Sequence, residues 1–464
     1  MFAKNKIHFE ISERKVLLSA LDAFFVIVAL YLLSILFDYN YFLFERMYYF
    51  SPVLLIFYIF VFGSIFEMYN LQVASNQFQV LRSVVLTATT SSLIYLFTPI
   101  LSPELPKQRL IIFIFYFTLL GALLAWRFFY AFFLASHRFT QNVILICDQS
   151  QVEELVSGLE SVDPHYKIIG FVNSDAVEAE DSNFHYVKEI KKENLEDFVK
   201  NRYVSEIIIA SQKTDGITAD LYQQLLHLLE SGNIIREYTQ VYESKTQRIP
   251  VHYISRDFYR FFPFSRSNNN KLYLLLIRFI EVLFSVLGML ICVVFIPLIF
   301  IGNLLANKGS LFYTQERVGK NGVVFKIYKF RTMVENSETN GAVFATSNDR
   351  RITPFGKFMR KSRIDEIPQV INILKGDMAV IGPRPERPFF VEEIASIMPF
   401  YETRHVIKPG ITGWAQVNYS YGETIDESLI KLQYDLYYIK HRSVFLDLSI
   451  TFKTITTVLF YRGQ

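Results

Sequence analysis

The chain has 464 residues, enough for two or three domains with cores of their own, and its 51% hydrophobic and 16% aromatic content is high for a soluble protein. Its 47 basic residues nearly balance 44 acidic ones, for a formal charge of +3, so no strongly basic face announces nucleic acid as a partner. Its 2 cysteines, Cys147 in a strand-like run and Cys292 in an apolar one, suggest neither a disulfide framework nor a zinc site.

Four apolar spans fill the first third of the chain. They are Val16 to Phe37, interrupted by Asp22, then Met47 to Phe66, Ser83 to Ser102, and Leu110 to Leu134, interrupted by Arg127. Each is long enough to cross a bilayer, which takes roughly 20 residues. Short polar connections and interfacial aromatics such as Tyr48, Tyr49 and Trp126 favour membrane helices over a very apolar soluble core. Lys4, Lys6, Arg14 and Lys15 precede the first span, whereas the next connection holds only Asp38, Glu45 and Arg46. The positive-inside bias therefore places the N-terminus in the cytoplasm, and an even number of spans returns the chain there. The first apolar run starts late and exceeds a signal h-region, so a cleaved leader is not expected.

After His137 the composition becomes that of a soluble α/β unit. Asn142 to Cys147, Lys167 to Val172 and Glu206 to Ala210 read as strands and Val152 to Leu159 as a helix, an alternation that predicts a small doubly wound sheet ending near Val251. The first strand runs into Cys147-Asp148-Gln149-Ser150 and not into the glycine-rich turn that admits a pyrophosphate. A structural or regulatory module is therefore favoured over a working dinucleotide site.

A fifth apolar segment starts among Lys271, Arg278 and Glu281 and runs without charge from Val282 to Asn307, with Pro297 inside. Proline removes a helix hydrogen bond and crowds the preceding turn, so the segment either spans with a kink or bends back to the side it entered. Hydropathy alone reads as a spanning helix. A true fifth crossing would leave everything after Lys308 outside the cell.

Leu311 to Val318 and Val323 to Thr332 flank Gly319-Lys320-Asn321-Gly322, a strong hairpin signal. Alternation puts Phe325, Ile327, Lys329 and Arg331 on one face, which suits either an anion contact or a solvated strand end. Arg360 to Gln369 then precede an apolar helical pattern that stops at Gly376. Pro368 belongs in the first helical turn, which makes Asp365 the expected N-cap and Glu366 the first helical residue. An aspartate that only caps a helix fits this pattern. So does an ionised carboxylate held beside Arg360 and Arg363, where a helix N-terminus draws in a diphosphate. Carboxylates act as nucleophiles towards phosphorus, and an adjacent acid can hold magnesium. In Gly382-Pro383-Arg384-Pro385 two prolines preset an arginine, as a phosphate contact or as a rigid turn.

Taken in order, these motifs resemble the bacterial polyprenyl-phosphate hexose-1-phosphate transferases, the large monotopic phosphoglycosyl transferases. The specific matches are Tyr313 to Gly319, Lys329-Phe330-Arg331-Thr332-Met333, Asp349 with Arg351-Ile352-Thr353, Asp365-Glu366-Ile367-Pro368-Gln369, Lys375-Gly376-Asp377-Met378, Gly382 to Pro385, and Pro409 to Trp414. The resemblance implies a multi-domain membrane protein. Its parts are a four-helix transmembrane bundle over 1–138, a Rossmann-like α/β domain over 139–265, and an α+β catalytic domain over 266–464 whose helix near 272–307 re-enters the membrane. It assigns Asp365 as nucleophile, Glu366 as the magnesium-associated acid, and Lys329, Arg331, Arg360 and Arg384 as the anion-binding set. Two departures stand out: Arg363-Ile364 where many relatives have Ser-Leu, and Tyr419 after Asn418 where glycine is common.

The implied reaction moves a hexose-1-phosphate from a UDP-sugar to undecaprenyl phosphate and releases UMP, with Mg2+ as cofactor. It would initiate exopolysaccharide, capsule or O-antigen synthesis on the cytoplasmic face of the bacterial inner membrane. A glycosyltransferase would release UDP instead, and a membrane scaffold would not need the acidic dyad. The bilayer is the expected partner, and the N-terminal parts leave room for a homodimer.

Overall fold

The computed structural model describes residues 11–37, 50–69, 77–98, 101–102, 105–106, 108–130, 132, 141–161, 166–174, 187–210, 217–251, 268, 270–306, 309–334, 351–419 and 424–459. The chain divides into two compact units, Met1–Thr246 and Gln247–Gln464.

The first unit opens with helices at all four apolar spans: α1 (Ile11–Phe37), α2 (Ser51–Ile65), α3 (Gln77–Leu96) and α4 (Arg109–Phe129). By length and composition, Val16–Leu36 and Arg109–Phe129 can cross a membrane. The apolar α2 has 15 residues, and α3 is made less apolar by Thr87, Thr89, Thr90, Ser91 and Ser92. Leu55, Ile59, Val84, Ala88, Phe115, Leu119 and Leu123 form the helical core, while large side chains such as Phe57, Phe113 and Phe117 face outward. That inside-out apolar surface suits lipid.

The two charges that interrupt the first and fourth spans find each other. Arg127 donates from Nε to Asp22 Oδ1 at 3.0 Å and from a terminal nitrogen to Asp22 Oδ2 at 2.5 Å, and its remaining nitrogen reaches the Met68 carbonyl at 2.7 Å. A buried charge is tolerated when each donor is used in this way.

The α/β part is a parallel sheet of β1 (Gln141–Cys147), β2 (Tyr166–Asn173), β3 (Lys188–Glu189), β4 (Glu206–Ile209) and β5 (Ile234–Glu237). Among the described residues the strand order is β3-β2-β1-β4-β5. The central β1 is buried from Val143 to Cys147, as its unbroken apolar run requires. α5 (Val152–Glu160), α6 (Leu195–Asn201), α7 (Ala219–Glu230) and α8 (Tyr238–Thr246) complete the unit, which matches the doubly wound expectation.

The second unit begins with α9 (Lys271–Ala306), helical through Pro297 for 36 residues, or about 54 Å. Glu281, Ser285, Cys292, Ile299 and Asn303 are its buried residues. On an ideal helix they fall within about 40° of one another and extend along about 33 Å. This one narrow stripe meets the rest of the unit along its length. Gly288 lies so close to Val370 that a Cβ would approach it to 2.8 Å, and a Cβ on Gly302 would come within 2.3 Å of the Phe355 ring. The remaining faces expose leucine, valine and phenylalanine.

The antiparallel hairpin of β6 (Phe312–Val318) and β7 (Val324–Phe330) turns through Asn321 at φ 57° and Gly322 at φ 77°. Left-handed geometry at both positions is what the Asn-Gly pair permits. α10 (Pro354–Lys361), a 3-10 helix over Ile364–Gln369, α11 (Val370–Lys375) and β8 (Ala379–Ile381) come next. α12 (Pro388–Ile397), a 3-10 turn over Pro399–Val406, β9 (Gly410–Thr412), α13 (Trp414–Asn418), α14 (Ile425–His441) and α15 (Val444–Leu459) finish the unit. α15 exposes Val444, Phe445, Leu448, Ile455 and Val458.

Candidate active site

The site is built where β7 meets the 3-10 turn. Asn372, fully buried on α11, accepts the Tyr328 backbone N–H at 3.1 Å and donates to the Lys326 carbonyl at 2.8 Å. One amide thus satisfies the free edge of β7 and locks the strand to the helix. α10 is capped by Thr353, whose hydroxyl accepts the Gly356 N–H at 2.9 Å, and it ends at Ser362. Arg363 then adopts φ 58°, a left-handed conformation that costs an arginine roughly 1 kcal/mol or more and turns the chain sharply into the dyad.

The capping expectation for Asp365 is corrected here. Arg363 occupies the N-cap position of a 3-10 helix, and Asp365 lies inside its first turn with no side-chain capping bond. The left-handed Arg363 starts the helical turn two residues before Asp365. The predicted stop at Gly376 stands, with φ 91°.

Glu366 is clamped. Lys329 Nζ and an Arg384 terminal nitrogen reach the same oxygen, Oε1, at 3.1 and 3.2 Å, and Arg363 lies 3.9 Å from Oε2. Burial pushes the Glu366 carboxyl up, but Lys329, Arg384 and Arg363 outweigh it and hold the group well below the usual carboxylate range. Asp365, equally buried, accepts no hydrogen bond among the described residues. Burial and then the Glu366 charge push its carboxyl up to about 6, against the pull of Lys329, Arg360 and Arg363. Two adjacent carboxylates are thereby differentiated: one is a fixed anion, the other an ionisable group with free lone pairs at neutral pH.

Arg384 is set by two interlocked motifs. Gly382 N–H donates to the Thr412 carbonyl at 2.9 Å and Gly410 N–H to the Pro383 carbonyl at 2.9 Å. A Cβ on Gly410 would come within 2.2 Å of the Gly382 nitrogen, which is why both loops carry glycine. Beneath them Arg404, nearly buried, donates to the Arg384 carbonyl at 2.9 Å and to Asp435 at 2.7 Å.

Of the sequence-derived cations, Lys329, Arg360 and Arg384 bear on the dyad, and Arg360 is itself steered by the Thr332 hydroxyl at 3.0 Å. Arg331 is turned elsewhere, bonding to the Ser310 carbonyl at 3.0 Å and hydroxyl at 2.6 Å and bracing the segment after α9. Asp349 lies outside the described residues. Among the described residues no group of three or more His, Cys, Asp or Glu could hold a metal by itself.

Residues 272–461 match the family described as bacterial sugar transferase. An Aeromonas hydrophila protein named UDP-N-acetylgalactosamine-undecaprenyl-phosphate N-acetylgalactosaminephosphotransferase is 52% identical over 155 residues, covering 33% of this chain and 37% of that protein. A Bacillus subtilis (strain 168) protein with the provisional name undecaprenyl-phosphate N-acetylgalactosaminyl 1-phosphate transferase is 42% identical over 153 residues, 32% of this chain and 86% of the other. This chain belongs to the bacterial sugar transferase family. A Xanthomonas campestris pv. campestris UDP-glucose:undecaprenyl-phosphate glucose-1-phosphate transferase is also 42% identical over 162 residues, covering 34% of each chain, so the matches to it and to the Aeromonas protein span about a third of their lengths. The sugar transferase match begins one residue into α9, which makes the apolar helix part of the family unit and not an appended anchor.

Residues 64–218 match a second family, described as a CoA-binding domain. Here β1 is followed by Asp148, whose buried carboxylate accepts the Ser174 hydroxyl, and Glu153 and Glu154 occupy the first turn of α5. The segment after β1 thus carries one buried acid and two exposed ones, a poor match to the backbone N–H groups and positive charge that hold a pyrophosphate.

Sequence reasoning missed Asn372, Arg404 and Asp435. A lone asparagine in the apolar pattern of α11 was the available signal for the first, whereas the Arg404 and Asp435 pairing joins positions 31 residues apart.

Proposed function

We propose that this protein transfers a hexose-1-phosphate from a UDP-sugar to undecaprenyl phosphate, with Asp365 as the nucleophile. The observation that carries this is the contrast within the dyad: Glu366 is saturated by cations, while Asp365 beside it is buried, unbonded among the described residues and ionisable near neutrality. An Asp365 oxygen attacks the sugar-linked phosphorus. The bond to the bridging oxygen breaks, and UMP leaves with that electron pair. An oxygen of the lipid phosphate then attacks the same phosphorus, breaks the aspartyl bond and regenerates the carboxylate. Arg384, Lys329, Arg360 and Arg363 offset the phosphate charges throughout.

Magnesium fits this donor set as a metal held by one or two carboxylates and completed by substrate phosphate oxygens. Glu366 would hold it, and it would neutralise the diphosphate.

A cytoplasmic catalytic unit is supported by α9. Its buried residues run from Glu281 to Asn303, and a helix that packs on one domain along this length would keep both halves on one side of the bilayer. The apolar faces of α9 and α15 would then sit in the cytoplasmic leaflet, where the long acceptor tail remains in hydrocarbon. For the donor, two of the relatives above carry N-acetylgalactosamine in their names and one glucose.

The test incubates purified full-length protein with UDP-N-acetylgalactosamine or UDP-glucose in the absence of lipid. The expected result is stoichiometric UMP release and a sugar-phosphate adduct on the peptide carrying Asp365, read by mass spectrometry. Product UDP, or UMP released only when lipid is present and with no adduct, would overturn the two-step reading.

A further inference from the structure

The contacts of α9 with the helix behind the dyad have no place in the chemistry just described, and at the C-terminal end of that helix they are polar. Arg278 donates from its two terminal nitrogens to the Ile373 carbonyl at 2.7 Å and the Leu374 carbonyl at 2.9 Å. These carbonyls lie in the last turn of α11, where the Ile373 carbonyl also accepts the Gly376 N–H at 3.0 Å and where the helix dipole favours a cation. Glu281, one turn further along α9, is buried, lies 3.4 Å from Arg278 and accepts the Val380 N–H at 3.4 Å, at the start of β8. Gly288 receives Val370, the first residue of α11.

Arg278 and Gly288 hold α11 at its two ends, and Glu281 between them holds β8. The upstream end is continuous with the turn carrying Asp365 and Glu366, and the downstream end leads through β8 to Arg384. Anchoring both sides of the dyad to a single rigid helix fixes the separation of the carboxylates from the arginine that must meet the same diphosphate.

We infer that Arg278 and Glu281 are positioning residues for the Asp365–Glu366 dyad, so that the membrane helix forms part of the active-site scaffold. The inference rests on the aspartyl reading above. It implies that UMP release, a half-reaction that consumes no lipid acceptor, depends on side chains of α9.

The experiment is a single-turnover burst of UMP from full-length protein in nanodiscs, with UDP-N-acetylgalactosamine and UDP-glucose as probes. Burst amplitude counts competent sites, and the burst rate constant reports their geometry. Arg278→Ala is expected to keep most of the amplitude while slowing the burst roughly tenfold to a hundredfold, with half-saturation changed by no more than about twofold. Arg278→Lys, which reaches one carbonyl, should recover part of the rate, and Glu281→Gln should slow the burst less than Arg278→Ala. Leu275→Ala, on the exposed face, serves as control. An amplitude that falls while the per-site rate constant is unchanged would reduce Arg278 to a fold-stabilising role, and wild-type rate and amplitude in Arg278→Ala would overturn the inference outright. A wild-type protein that gives no burst instead removes the aspartyl reading and this inference with it, so the two failures are distinguishable.

Discussion

Asp148 and Asp365 stand in the two α/β regions of the molecule, each at the start of a helical turn, and are nearly equally buried at 6% and 7% exposure. Asp148 follows β1, at the edge where doubly wound sheets bind their ligands, and its carboxylate takes the Ser174 hydroxyl with Glu153 and Glu154 close behind in sequence. Asp365 lies on a short 3-10 turn, a less expected place, yet Lys329, Arg360 and Arg363 act on it and Glu366 holds the second anionic position. Burial of an acid is common to both. Among the described residues, cations that act on the acid are found at Asp365, and they are the basis for proposing chemistry there.

The largest expected effect breaks the comparison at its centre. Asp365→Asn should lower turnover by about a thousandfold or more, because an amide oxygen is a poor nucleophile, while Asp148→Asn should leave it within about twofold. Comparable losses from both substitutions, in the same lipid-linked product assay, would mean that the α/β unit takes part in the chemistry.

A smaller effect comes from the supports. Arg404→Lys keeps the charge beside Asp435 but cannot donate to Tyr401, Asp435 and the Arg384 carbonyl together, so Arg384 should lose its fixed position and turnover should fall roughly tenfold. In the α/β unit Arg236 is paired with Glu206 in a similar way. Arg236→Lys should affect thermal stability and leave turnover unchanged when normalised to folded protein.

What the sequence revealed follows the range of each signal. Periodicity and hairpin chemistry are local, so β1, β2, β4, the Asn321-Gly322 turn and the stop at Gly376 were all legible. The dyad and the Pro-Arg-Pro loop were legible as motifs. Their mutual geometry was not, because Lys329, Glu366 and Arg384 meet across 37 and 18 residues of chain. Asp365 was misread as an N-cap because the left-handed turn at Arg363 belongs to no residue preference of arginine. Arg331 follows the strand alternation that suggested it, yet Ser310 captures its guanidinium. Asp22 and Arg127 looked like two separate interruptions until packing made them one ion pair.

Titration sharpens the contrast further. With the Asp365 carboxyl pushed up to about 6, the proposed nucleophile protonates as pH falls through that value, and the lipid-free burst rate should drop about tenfold for each pH unit below it. The same group sets a stability difference. A carboxyl raised in the folded state favours folding below its unfolded pKa of about 3.9, and that contribution is lost as pH rises through about 6. Asp365→Asn should therefore match wild type near pH 4 and be the more stable protein at pH 7.5, by about 3 kcal/mol at most. Thermal midpoints at the two pH values test this, and a variant less stable than wild type at pH 7.5 would show that the ionised carboxylate is a net stabiliser.

The smallest expected effect is at Asp148. A pyrophosphate brought to within about 4 Å of a carboxylate, at the effective dielectric of a protein surface, meets a repulsion of about 4 kcal/mol, roughly a thousandfold in affinity. Glu153 and Glu154, in the first turn of α5, oppose the attraction a helix N-terminus normally offers. Coenzyme A and NAD should accordingly leave the thermal midpoint and the burst rate of wild-type protein unchanged. Replacing the acid tests the cause directly, since Asp148→Asn removes the charge and keeps a group that can bond Ser174. Measurable coenzyme A binding that appears only in the Asp148→Asn protein would show that this one carboxylate closes an otherwise competent site, whereas tight binding to wild type would mean that the acids at α5 do not exclude a pyrophosphate and that the two regions differ less than their charges imply.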